Sequence, residues 1–323
     1  MQKVNICFVL SSDSSSPKVT NNFAENYQAI YKPLVSFLYS HPKFKFTFSF
    51  TGVQLEWCKK SCPEFLKVLG ELNSRRQIEI LGGGYYNPIF PLLYPVDRTG
   101  QIEKLSSEIR ELIGKRPRGL SLFASSWEPS LISSFQSCGM EYAILDSALI
   151  PPSKHLYLPI ITADKGKTLC IFPTYNNFVP DESVPASSYL KNIVSAIKKV
   201  SKDSIPYGEV DERTITVGVG KHLVSNLIKS GWLESLLSEI ESSYGSTVEL
   251  SLPLICRRES ASFVQAYIPS GISPKVSLWA SIPFTPVQNK EKFPLTIYDL
   301  FRTYPRHQAL YNRMLYVSML LNQ

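Results

Sequence analysis

The amino-terminal half of the chain alternates short apolar runs with longer segments of helical periodicity, and this alternation narrows the possible folds more than any other feature. VNICFVL (Val4 to Leu10) is an uninterrupted apolar run, as expected of a strand covered on both faces. FKFTFSF (Phe44 to Phe50) alternates strictly and reads as a strand, and QIEIL (Gln77 to Leu81), LSLFA (Leu120 to Ala124) and YAILD (Tyr142 to Asp146) read as further strands. Between them, Ala24 to Ser40, Gln54 to Ser74, Thr99 to Ile113 and Pro129 to Cys138 repeat apolar residues three and four apart, the spacing that gives a helix one buried face. Pro33 is expected to kink the first of these helices and Pro63 to split the second, because proline lacks the N–H that continues a helix. Gly114 is placed to end the third. Strand, helix and short link in repetition predict an α/β fold with parallel strands, since parallel neighbours need a crossover helix.

The pattern continues more loosely. TLCIFP (Thr168 to Pro173), TITVGVG (Thr214 to Gly220) and VELSLP (Val248 to Pro253) read as strands, the last being the final one expected. Tyr189 to Val200 and Trp232 to Ser243 read as helices. Pro269 to Lys292 looks irregular, and the end, TIYDLFRTYPRHQALYNRMLYVSMLL, reads as helix interrupted at Pro305.

Composition removes several function classes. With 44% hydrophobic and 19% charged residues, the 323-residue chain can bury a large core and is not of disordered type. The net charge of +7 comes from scattered Lys and Arg, whose densest runs are pairs such as Lys198-Lys199 and Lys115-Arg116. Such pairs read as solvated faces, and no nucleic-acid partner is expected. The six cysteines lie mostly in apolar strings, and no Cys-x-x-Cys or paired His accompanies them, so neither a metal nor another cofactor is expected. No apolar run reaches the ~18 to 20 residues of a membrane span, and the amino terminus lacks a signal-peptide pattern. A cytoplasmic protein with reduced thiols and no membrane contact is the expectation.

Seven segments carry a family resemblance. In order they are FTGVQLEWCKKSCPEFLKVLGEL, RRQIEILGGGYYNPIFPLL, DRTGQIEKL, SLFASSWEPSL, GMEYAILD, KSGWLESLL and YPRHQALYNRMLYVS. Together they resemble the amino-terminal part of glycoside hydrolase family 57, most closely its 4-α-glucanotransferase and α-amylase-like branch. The resemblance implies an incomplete (β/α)7 barrel over residues 1–268. Residues 269–323 would then be an irregular linker and a short C-terminal helical segment packing on the barrel. It also implies a retaining mechanism, in which a Glu nucleophile and an Asp acid/base stand about 5 to 5.5 Å apart.

Neither carboxylate is found where the resemblance places it. The nucleophile belongs to a Glu-x-x-Trp-x-Pro pattern; Trp127 and Pro129 match, and the Glu position is Ala124. The acid/base Asp belongs before the Gly-Trp matched by Gly231 and Trp232, yet no Asp or Glu occurs from Thr214 to Trp232. The family's His-x-His-Gln-Pro motif falls on Ser11 to Ser15, which includes Asp13, and its Glu after the Gly-rich strand end falls on Asn87. No catalytic residue is therefore assigned. Asp13, Tyr85, Tyr86, Asn87, Trp127 and Glu128 remain as candidate carbohydrate contacts at the carboxyl ends of barrel strands, where aromatic rings could stack on sugars. The competing reading for Trp127 and the tyrosines is packing in the barrel mouth, and for Glu128 a helix-start position favoured by the helix dipole. Three functional readings stay open: a non-catalytic homologue that contacts α-glucan, an enzyme whose carboxylates have moved to Glu128 or to Asp13 with Asp146, and a protein-interaction scaffold. The partners to match are a glycan, a second copy of the chain or an active paralogue.

Overall fold

In the computed structural model, residues 2–10, 23–154, 156–201, 211–259, 262–274, 296–299 and 305–322 are described. The strands are β1 Gln2–Leu10, β2 Phe46–Ser49, β3 Ile78–Leu81, β4 Gly119–Ser121, β5 Tyr142–Asp146, β6 Ile160–Asp164, β7 Lys167–Thr174, β8 Asp211–Val219, β9 Val248–Leu250 and β10 Val264–Gln265. Round the sheet the order is β8, β1, β2, β3, β4, β5, β7 and back to β8, every neighbour parallel. Two seams are thin. β3 meets β4 through the Gly82–Leu120 bridge alone, and β7 meets β8 only where Thr174 faces Thr216. The result is a nearly closed (β/α)7 barrel, in agreement with the expected fold.

The helices among the described residues are α1 Phe23–Asn26, α2 Lys32–Ser40, α3 Gly52–Ser61, α4 Pro63–Ser74, α5 Pro95–Ile113, α6 Leu131–Ser137, α7 Ala186–Ser201, α8 Lys221–Lys229, α9 Trp232–Glu239, α10 Pro253–Glu259 and α11 Pro305–Leu321. Successive strand side chains point to opposite faces, and here both faces are covered. Val4, Ile6, Phe8 and Leu10 of β1 pack outward with Phe46, Phe48, Ile215 and Val217 against Leu34, Leu66, Leu69 and Leu236 of the helices. Cys7 and Val9 of the same strand form a separate cluster with Leu81, Tyr142, Ile144, Cys170 and Phe172. This double burial is why β1 reads as a continuous apolar run.

The amino-terminal end of the barrel is closed by α10. Its Leu254 N–H donates to Glu79 Oε2 at 3.1 Å, Cys256 Sγ lies 3.8 Å from Cys7 Sγ, and Arg258 pairs with Glu141, just before β5, at 2.6 Å. Tyr142 Oη donates to the other oxygen of Glu79 at 2.5 Å. Burial, opposed by these two hydrogen bonds, pushes the Glu79 carboxyl up to about 7. All six cysteines are free and buried, consistent with their reading as small hydrophobes.

Several expectations need correction. The helix expected from Thr99 begins at Pro95, because proline is tolerated in the first turn, where its missing N–H has no intrahelical partner. A π-helical stretch, Tyr27–Tyr31, precedes Pro33 and absorbs the irregularity expected there. The expected all-parallel sheet has an antiparallel hairpin at one edge: β6 returns through Lys165 and Gly166, both left-handed, into β7. VELSLP is not the last strand, since β10 follows it, and α8 and α10 are helices the periodicity reading passed over.

Candidate functional site

In barrels of this kind the site face is the carboxyl end of the strands. After β4 the chain makes a tight turn, Phe123–Ser125, in which Ala124 has φ 57° and ψ 19° and Ser125 has φ 46°. Two consecutive left-handed residues without glycine cost roughly 1 to 2 kcal/mol each, so the surroundings must hold them. They do so by hydrogen bonding. Ser273 N–H donates to Ala124 O at 2.9 Å, and Asp146 N–H donates to Ser125 Oγ at 3.0 Å. Ala124 packs against Ile272 and Ile297, with Ile89 and Leu92 beside them. The position where the resemblance puts a nucleophile therefore sits among aliphatic side chains.

Asp146 closes β5 and is the buried carboxylate of this region, 3% exposed. Its Oδ2 accepts from Ser273 Oγ at 2.6 Å, and its Oδ1 accepts from Ala148 N–H at 3.0 Å and from Asn176 Nδ2 at 3.4 Å. Asp146 thus ties the ends of β5 and β7 to the 262–274 segment. At the end of β8, Val219 is buried in the outer core and Gly220 leads directly into α8. That strand end presents no carboxylate, as the sequence requires.

The candidate carbohydrate contacts have different fates. Trp127 is 1% exposed and belongs to the core between β4, β5 and α6. Its indole N–H donates to Ile268 O at 3.1 Å, and its backbone pairs with Gly271. Tyr85 is equally buried; its ring lies where a side chain on Gly52 would stand, 2.3 Å from an added Cβ, and its hydroxyl donates to Glu56. Glu128 pairs with Arg98 at 2.9 Å, while the same guanidinium donates to Phe90 O and Pro91 O. Glu128 O also accepts from Leu131 N–H as α6 begins, so the carboxylate lies at the helix start as read. Asn87 is half-buried, left-handed at φ 53°, and donates its backbone N–H to Gly84 O. Tyr86 alone among these five is exposed, at 60%. Asp13 lies outside the described residues. Tyr85, Tyr86 and Asn87 stand together after β3, while Trp127 and Glu128 face a different set of neighbours after β4. The left-handed freedom of glycine is not used in the Gly82–Gly84 run. Gly84 is needed for close packing, since a Cβ there would stand 2.0 Å from Pro88.

The Ser273 and Asn176 partners of Asp146 escaped the sequence reading, because their hydroxyl and amide types are ordinary loop residues and only the fold joins them. Among the described residues no group of three His, Cys, Asp or Glu is arranged to hold a metal, and no helix is long and apolar enough to cross a membrane.

Comparison with known proteins identifies the barrel. The sequence profile of Glycosyl hydrolase family 57 matches residues 6–199. The chain belongs to glycosyl hydrolase family 57. Within family 57 it is 27% identical over 268 residues to "Alpha-amylase 1" of Dictyoglomus thermophilum, covering 80% of this chain and 38% of that protein. It is 27% identical over 251 residues to a 4-alpha-glucanotransferase of Thermococcus litoralis, covering 75% of this chain and 37% of the relative. The crystal structure of the 4-alpha-glucanotransferase from Thermococcus litoralis superposes with a TM-score of 0.80 at 21% identity, over 100% of this chain and 53% of that one. This family 57 chain thus spans less than two fifths of the length of those curated relatives and about half of the solved structure.

Proposed function

We propose that this chain is a non-catalytic family 57 barrel, related to the glucanotransferases and amylases, whose remaining role is contact with α-glucan rather than its cleavage or transfer. The observation that carries this reading is the setting of Ala124. A retaining site needs two carboxyls about 5 to 5.5 Å apart across the scissile bond. Here the nucleophile position is a methyl group packed on Ile272 and Ile297, and the segment from Thr214 to Trp232 holds no acid to partner it. Loss of both groups removes the covalent step and the proton transfer together. The moved-carboxylate reading draws no support from Glu128, which is neutralised by a mostly buried guanidinium, or from Asp146, whose two oxygens are occupied by three donors.

The test is incubation of purified protein with maltoheptaose, with chain lengths followed for a day. Unchanged maltoheptaose is the expected result. Disproportionation products that co-purify with the protein through successive columns would refute the proposal. A scaffold that contacts only proteins, such as a second copy or an active paralogue, predicts no binding of the sugar at all.

A further inference from the structure

The cleft beside Tyr86 has features the fold itself does not require. It has a volume of about 450 Å³ and is lined by Tyr86, Pro88, Leu93, Asp97, Gly100 and Gln101 among others, within the ~300 to 1,000 Å³ range of small-ligand sites. Gly100 lies inside the 19-residue helix α5. Glycine within a helix is unfavourable by roughly 1 kcal/mol relative to alanine, so it normally has a packing reason. None is present among the described residues, where a Cβ built on Gly100 meets no atom within 4 Å. What a side chain at this position would occupy is the cleft.

The groups around the cleft suit a pyranose chain. Tyr86 supplies an exposed aromatic ring, held by its N–H on Gln101 Oε1 at 3.0 Å and by Lys104, whose Nζ reaches the phenol oxygen at 3.3 Å. Aromatic rings accept the apolar face of a sugar ring and leave its hydroxyls at the edge. For those hydroxyls Asp97 offers a carboxylate oriented by Ser318 and Asn322. Gln101 Nε2 has no hydrogen-bond partner among the described residues and offers a donor. Asn87, next to Tyr86 in the chain, likewise has an unengaged side-chain amide among the described residues.

We infer that this cleft, between the Tyr86–Pro88 turn and the first turns of α5, is an α-glucan-binding site with Tyr86 as its stacking platform and Gly100 as its open floor. The inference rests on the proposed glucan-contacting role and moves that contact away from the Ala124 turn and Trp127.

The test is saturation-transfer NMR and titration with maltoheptaose on the wild-type chain, Tyr86→Ala and Gly100→Gln. Gly100→Gln places a side chain in the cleft at a position where the protein has room and where glutamine is the better helix former, so a melting temperature at or above wild type certifies its fold. The expected result is transfer to maltoheptaose with wild type and an affinity loss of about tenfold or more in both variants. Wild-type binding that survives both substitutions would overturn the cleft assignment while leaving the glucan-contacting role intact. No binding by the wild type would overturn both.

Discussion

Replacing Glu79 by Gln should remove a specific pH dependence of stability. Glu79 is 6% exposed on the inner side of β3, between Tyr142 Oη and the N–H of Leu254. Its carboxyl titrates near 7 in the folded chain against an ordinary 4.5. A raised folded pKa means that the folded state holds the proton more tightly than the unfolded state. The stabilisation is fully present below pH 4.5 and is lost as pH rises to about 7. At about 1.4 kcal/mol per decade of proton affinity, the loss is about 3 kcal/mol in total, of which about 1 kcal/mol falls between pH 6 and 8. Glu79→Gln keeps the shape and cannot ionise. Urea denaturation followed by tryptophan fluorescence at pH 5, 6, 7 and 8 would therefore give two curves that diverge. Wild type should lose stability relative to Glu79→Gln up to pH 7 and then run parallel with it. Curves that stay parallel from pH 5 to 8 would refute the argument, because they would mean that the ionised carboxylate is solvated where it stands.

Trp127→Ala should cost about 3 to 5 kcal/mol, the range for emptying a buried aromatic site, with Trp127→Phe losing less. Denaturation midpoints measure both, and a loss below 1 kcal/mol for Ala would contradict the buried placement. Gly100→Ala should stabilise the chain by about 1 kcal/mol, because no described residue crowds the new methyl and helix propensity improves. A lower melting temperature would mean that the position is crowded.

The parallel barrel was legible because β1 is buried on both faces and so appears as a continuous apolar run, while β2 shows its apolar residues in strict alternation and helical spacing separates the strands. The helix boundaries at Pro63 and Gly114 were legible for a similarly local reason: each residue blocks or ends a helix by its own backbone chemistry. β6 was missed because its antiparallel pairing depends on the two-residue turn at Lys165 and Gly166, a weaker signal than a crossover helix. The site was legible only in part. Ala124 and the acid-free stretch before Trp232 are one-dimensional facts, whereas the burial of Trp127 depends on Ile268 and Gly271, more than a hundred residues later. No local pattern could announce that partner. Gly100 did carry a signal, a helix-weakening residue within DRTGQIEKL, that needed the cleft beside it to acquire meaning.

The pairing of β1 has a consequence for how the chain is made. β1, made long before β8, forms its full-length ladder with that strand, pairs Val4 to Ile6 with β9, and shares ladder register with β2 only at Val9 and Leu10. At roughly 5 to 20 residues per second, the apolar VNICFVL run waits on the order of ten seconds or more on the ribosome before its main partner exists. Closure of the ring is then a late event across a very long stretch of chain, which favours slow folding. A chain truncated before β8 would leave β1 with an open, adhesive edge, prone to pair with other copies.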